Sequence, residues 1–188
     1  MGLFGKLRKS EENDSKNRIF DKFCNFYEEE NYQAQLDIFD NVFPEKNEAY
    51  FFNKGIVYQN LRQFGNAAES YEKTCEINPT NAEANYRMGQ CCFYASELSS
   101  AEICFTNTIE LEEMSDEFEW KDACLFYLSL IQHFVYEKTN DVNYLIIRNN
   151  ILEELRKKTW FNNNEKPLID YFQENMEEVL LLLEPSKE

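Results

Sequence analysis

Glycine, alanine and an aromatic ring recur in this chain at one fixed offset: Gly55 is followed by Gly89, Ala67 by Ala101 and Tyr71 by Phe105. A period of about 34 residues marks one supersecondary unit copied along the chain. Each copy is too small to bury its own apolar face and must stack on a neighbour. Around the repeat, apolar residues recur at three- and four-residue spacing, as in Ile19, Phe20, Phe23, Phe26 and Tyr27, which is the pattern of amphipathic helices. No alternating strand pattern runs longer than a few residues. The unit is therefore a helical hairpin and the expected fold is all-α.

Polar, turn-prone joints divide the chain, among them Glu29-Glu30-Asn31, Asn78-Pro79-Thr80-Asn81, Thr139-Asn140-Asp141 and Asn162-Asn163-Asn164. They predict about nine antiparallel helices, at 15–28, 31–43, 47–61, 64–77, 81–95, 98–113, 116–138, 141–159 and 166–184. Five Gly and four Pro leave few further places to break them, and 16 Phe with 11 Tyr supply a core that a disordered chain lacks.

The copy at 48–81 reads Phe51-x2-Lys54-Gly55-x2-Tyr58, then Ala67-x3-Tyr71, then Pro79. It resembles the tetratricopeptide repeat (TPR) family, whose pattern is W-x2-L-G-x2-Y, A-x3-F and P. The copy at 82–115 follows with Asn85-x2-Met88-Gly89-x2-Cys92 and Ala101-x3-Phe105, with Glu113 where Pro is expected. Small residues are expected where the two helices approach closely. The rings Phe51, Tyr58 and Tyr71 are expected to fill the space between successive hairpins, and Pro79 to stop a helix. Outward the pattern decays. Upstream, Phe23, Gln35 and Phe39 keep the rhythm without the small residues, slightly less than one period ahead of the next copy. Downstream, Trp120-x2-Ala123-Cys124-x2-Tyr127 restores the motif slightly late. The resemblance implies a short right-handed TPR-like α-solenoid. Its expected organisation is a basic leader at 1–13 and one helical domain at 14–184. That domain comprises a divergent repeat (16–47), two repeats (48–81 and 82–115), a divergent hairpin (116–159) and a C-terminal capping helix (166–184).

Members of this family bind polypeptides on the concave surface lined by first helices. Carried onto this sequence, the partner-binding positions are Phe20, Cys24 and Tyr27, then Phe52, Ile56 and Gln59, then Tyr86, Gln90 and Phe93, with Lys121 beyond. Phe20, Cys24, Phe52 and Ile56 stand where the carboxylate clamp of chaperone-binding TPR proteins needs Lys and Asn, so that activity is excluded. An aromatic groove suits an apolar segment of a protein or peptide. The resemblance thus implies an adaptor. The alternative is a small acidic chaperone for one dedicated hydrophobic client such as a secreted protein, since secretion chaperones with about three such repeats share this layout and charge.

The net charge of −16 sharpens the partner and removes others. It disfavours nucleic acid, whose phosphates it repels, and favours a basic segment. The leader Gly2 to Lys9 mixes apolar and cationic residues. Three basic side chains bind an anionic surface only weakly, so membrane contact is not expected. The longest apolar run, Val179 to Leu183, falls far short of a bilayer span, and no signal peptide is evident, which points to the cytoplasm. Six Cys without Cys-x2-Cys spacing read as small buried residues of a reducing compartment, with no metal site. Six carboxylates between Glu110 and Glu119 read as a solvated joint. His133, the single histidine, lies inside an apolar helix, and no phosphate loop or nucleophile motif appears, so neither enzymatic activity nor a cofactor is expected.

Overall fold

The computed structural model describes residues 18–19, 21–115 and 119–157, and these form eight helices and their joints. The expected basic leader and C-terminal capping helix lie outside the described residues, as does Phe20. Helix α1 covers 18–28, with residue 20 undescribed. It is followed by α2 (Tyr32–Val42), α3 (Glu48–Asn60), α4 (Phe64–Ile77), α5 (Ala82–Tyr94), α6 (Leu98–Ser115), α7 (Lys121–Thr139) and α8 (Val142–Arg156). The chain divides into two compact units at the joint between Ile77 and Asn78.

Helix boundaries follow from local chemistry. Asn31, Asn47, Asn81 and Asp141 each precede a helix and accept a hydrogen bond from the amide of Ala34, Tyr50, Ala84 and Asn143 respectively. That satisfies donors which have no partner inside the helix. At the other ends, Glu30, Arg62, Ser96 and Asn140 turn the chain in the left-handed region without glycine. The amides after the first three, on Asn31, Gln63 and Glu97, bond back to the carbonyls of Phe26, Tyr58 and Cys92. The pairs Asn47/Asn81 and Arg62/Ser96 are separated by the same interval as Gly55/Gly89, so the period extends to both ends of the first helix.

In the first unit α2 packs on α3 and α3 on α4. Phe39, Tyr50 and Val57 form its core, ringed by Phe23, Tyr32, Leu36, Phe43, Phe51 and Leu61. Tyr71 is fully buried and packs on the first helix of its own hairpin, where a Cβ on Gly55 would stand only 2.6 Å from the ring. The glycine on α3 makes room for the ring on α4. Upstream, the divergent hairpin solves the same problem differently: Gln35 replaces the alanine, is fully buried, and donates its amide to the backbone carbonyl of Phe23 at 3.1 Å.

In the second unit α5 packs on α6, α6 on α7, and α7 on α8. Gly89 and Phe105 repeat the glycine–ring contact, with a Cβ on Gly89 falling 2.8 Å from the Phe105 ring. Helix α7 has 19 residues against 13 for α3 and α5, matching the expected elongation. It starts at Lys121, not at 116, because the amides of Glu119 and Trp120 are held by the Glu112 carboxylate at 2.9 and 2.7 Å. Helix α8 ends at Arg156, short of the expected 159, and buries Leu155 against Leu125. Among the described residues no helix is long and apolar enough to cross a membrane.

Candidate partner-binding surfaces

In the first unit, the expected contact positions sit on α1 and α3. Cys24 is half-buried, while Tyr27 is 54% exposed and packs edge-on against Tyr32. Phe52, Ile56 and Gln59 are all half-buried and share one face of α3. Tyr71 backs this face from α4, with its ring 5.8 Å from Phe52 and its hydroxyl donating to Gln59 Oε1 at 2.9 Å. A buried ring therefore orients two of the three side chains.

The equivalent positions of the second unit are not a surface. Tyr86 and Phe93 are buried, because α7 covers them. Tyr127 meets Phe93 at 5.3 Å and Tyr86 at 6.3 Å, and Trp120 stacks on Tyr86 at 4.7 Å. Gln90 donates to the hydroxyls of Tyr86 and Tyr127 at 2.9 and 3.1 Å and so bridges the two rings, and the Tyr127 hydroxyl also lies 3.5 Å from that of Tyr94. Burial pushes the Tyr86 hydroxyl up to about 12 and raises Tyr127 further still. Lys121 is half-buried and donates to Glu113 at 2.6 Å.

Three features have no counterpart in the sequence pattern. The first is Glu112, expected in a solvated acidic joint but only 2% exposed. Its Oε1 takes the two amides that open α7, and its Oε2 is buried without a hydrogen-bond donor. The second is a cleft of about 480 Å³ beside it, between the start of α5, the end of α6 and the residues just before α7, lined by Glu83, Leu111, Glu112, Met114, Glu119 and Trp120 among others. The third is a smaller cleft of about 290 Å³ between α3 and α4 that gathers Lys46, Lys54 and Lys73. Two of these lysines are already engaged: Lys54 donates to Tyr50 and lies 3.6 Å from Asp40, and Lys73 pairs with Glu69 at 2.5 Å. The Tyr50 hydroxyl donates to Asp40 at 2.6 Å, and that bond with the Lys54 charge holds the Asp40 carboxyl below its ordinary range.

Among the described residues, all six thiols are free and no cluster of His, Cys, Asp and Glu is arranged to hold a metal. Cys91, Cys92, Cys104 and Cys124 are buried, and burial pushes Cys91 and Cys124 up to about 12, which removes their nucleophilic thiolate. His133 is half-buried, and desolvation lowers its proton affinity, with Arg148 adding to the effect and Glu137 opposing it.

Capped hairpins repeated at one period, each locked by a glycine–ring contact, define a TPR-like helical fold. A solved structure described as "MamA RS-1 ArsTM double mutant" superposes on this chain with a TM-score of 0.57 at 17% identity, over 81% of each chain. No protein-family model matches the sequence, and no curated protein does.

Proposed function

We propose that the protein is an adaptor that binds an apolar segment of a protein partner along the α3 face formed by Phe52, Ile56 and Gln59. The observation that carries the reading is the half-burial of these side chains on one helix, with Tyr71 fixing Phe52 and Gln59 from behind. Such a face supplies apolar area whose side chains are already ordered, so docking costs less entropy than on a mobile surface. A TPR-like fold suits this role, as its helical hairpins present side chains from a rigid frame.

The test is capture of partners from a lysate by the wild-type protein and by a Phe52→Glu/Ile56→Glu variant, with proteins identified by mass spectrometry and helicity followed by circular dichroism. The expected result is a set of proteins retained by the wild type and lost by the variant at unchanged helicity. Identical sets would overturn the assignment of the face. Recovery of one stoichiometric hydrophobic protein would identify a dedicated chaperone instead. A specific observation supports that second reading: Val142, Ile146 and Ile147 on α8 are 61%, 54% and 45% exposed.

A further inference from the structure

We infer that the cleft between the start of α5, the end of α6 and Glu119–Trp120 seats one arginine side chain of the partner. The inference rests on the polypeptide-binding reading above and specifies the chemistry of a second contact. Glu83, Glu112 and Glu119 line the cleft, and no lysine or arginine does among the described residues. Arg87 already balances Glu83 at 2.8 Å, which leaves Glu112 and Glu119 as the excess charge.

Glu112 is the distinctive member. It is 2% exposed, its Oε1 is saturated by the amides of Glu119 and Trp120, and its Oε2 is buried with no donor. A carboxylate oxygen withdrawn from water without a donor is unfavourable, so a cationic hydrogen-bond donor brought into the cleft that Glu112 lines would relieve it. A guanidinium meets the requirement best: it stays protonated, carries five N–H donors in a planar fork, and is more weakly hydrated than an ammonium. Trp120 adds a reason for arginine over lysine. One face of its ring is stacked on Tyr86, and the half-buried indole lines the cleft, where a flat cation lies well against an aromatic wall. A bare metal ion fits poorly, because the cleft encloses about 480 Å³ and no ligand cluster exists among the described residues. Leu111 and Met114 line the same cleft and offer packing for an aliphatic stem. The overall charge of −16 draws basic segments toward the protein from a distance.

The experiment titrates the full chain with a blocked Gly-Gly-Arg-Gly-Gly peptide and with its citrulline and lysine counterparts, reading the Trp120 indole and the Glu119 and Trp120 amides by NMR. Saturable shifts with arginine are expected, about tenfold weaker with citrulline, which keeps the shape without the charge. Lysine should fall between the two, and added salt should weaken the response. Glu119→Gln, at an exposed position, should weaken arginine binding with the fold intact, and Glu112→Gln should weaken it more. Equal responses to arginine and citrulline, no response to arginine, or displacement of the peptide by millimolar magnesium or calcium would each overturn the assignment. If the peptide fails while partner capture still depends on Phe52 and Ile56, the cleft assignment falls alone. If the peptide binds and capture ignores α3, the α3 reading falls instead.

Discussion

The hairpins α3–α4 and α5–α6 are the same object by sequence period and different objects by surface. Phe52, Ile56 and Gln59 of α3 are matched one period later by Tyr86, Gln90 and Phe93 of α5. The first trio remains only partly buried, whereas Tyr86 and Phe93 are buried beneath Tyr127 and Trp120. The inside of each hairpin is set by its own residues, through Gly55 with Tyr71 and Gly89 with Phe105. The outward face is set by whatever packs next, and in the second unit that is α7. A repeat position is thus a packing address inside the hairpin, and its exposure belongs to the neighbouring element.

The largest expected effect comes from truncating the two matched rings. Tyr86→Ala should cost about 3–5 kcal/mol in chemical denaturation, as for other buried aromatics, whereas Phe52→Ala should cost less, about 2 kcal/mol, as part of its area is already wet. Equal costs would dissolve the contrast between the hairpins. Next come the glycines. Gly55→Ala and Gly89→Ala should each lose about 1–3 kcal/mol by displacing the facing ring. In a Tyr71→Leu background the Gly55→Ala penalty should shrink, and a double-mutant cycle would measure that coupling. Additive losses would mean that the ring is not what the glycine accommodates.

The smallest effect isolates α7, the covering element. His133 is the single histidine, and its proton affinity is lowered in the fold from an ordinary value of 6.5. The unfolded chain then binds the proton more readily. The stabilising contribution is complete above pH 6.5 and declines as the pH falls toward the depressed folded value. Unfolding free energy measured across this window should show that decline, and His133→Gln should flatten it. An unchanged slope in the variant would assign the effect elsewhere.

Much of the architecture is legible from residues alone. The all-helical fold, the TPR-like hairpins, the long α7 and the joint at Pro79 follow from period, spacing and turn chemistry. The internal packing is only half legible. Spacing does not show that Tyr71 sits on Gly55, because a pattern reports that a ring and a glycine recur together without reporting that they touch. Exposure is least legible. Tyr86 and Phe93 match Phe52 and Gln59 in register, and only the approach of α7 separates them. Glu112 is hidden among six carboxylates of similar context, and nothing local in the sequence marks it as one that turns inward. A weak signal does exist: Trp120 opens α7 without a side-chain cap of its own, so some other group has to satisfy the amides there.

The glycine–ring contact also bears on how the chain reaches this state. Each such contact joins residues close together in sequence, and both members of the pair lie within a single hairpin. Closing so short a loop costs little chain entropy, and proteins dominated by local contacts fold quickly. Each hairpin can therefore begin to form as the chain emerges, although its burial is completed only when the neighbouring element stacks on it. The order of synthesis becomes the order of assembly, and the apolar face of α5 waits in water only until α7 closes over it.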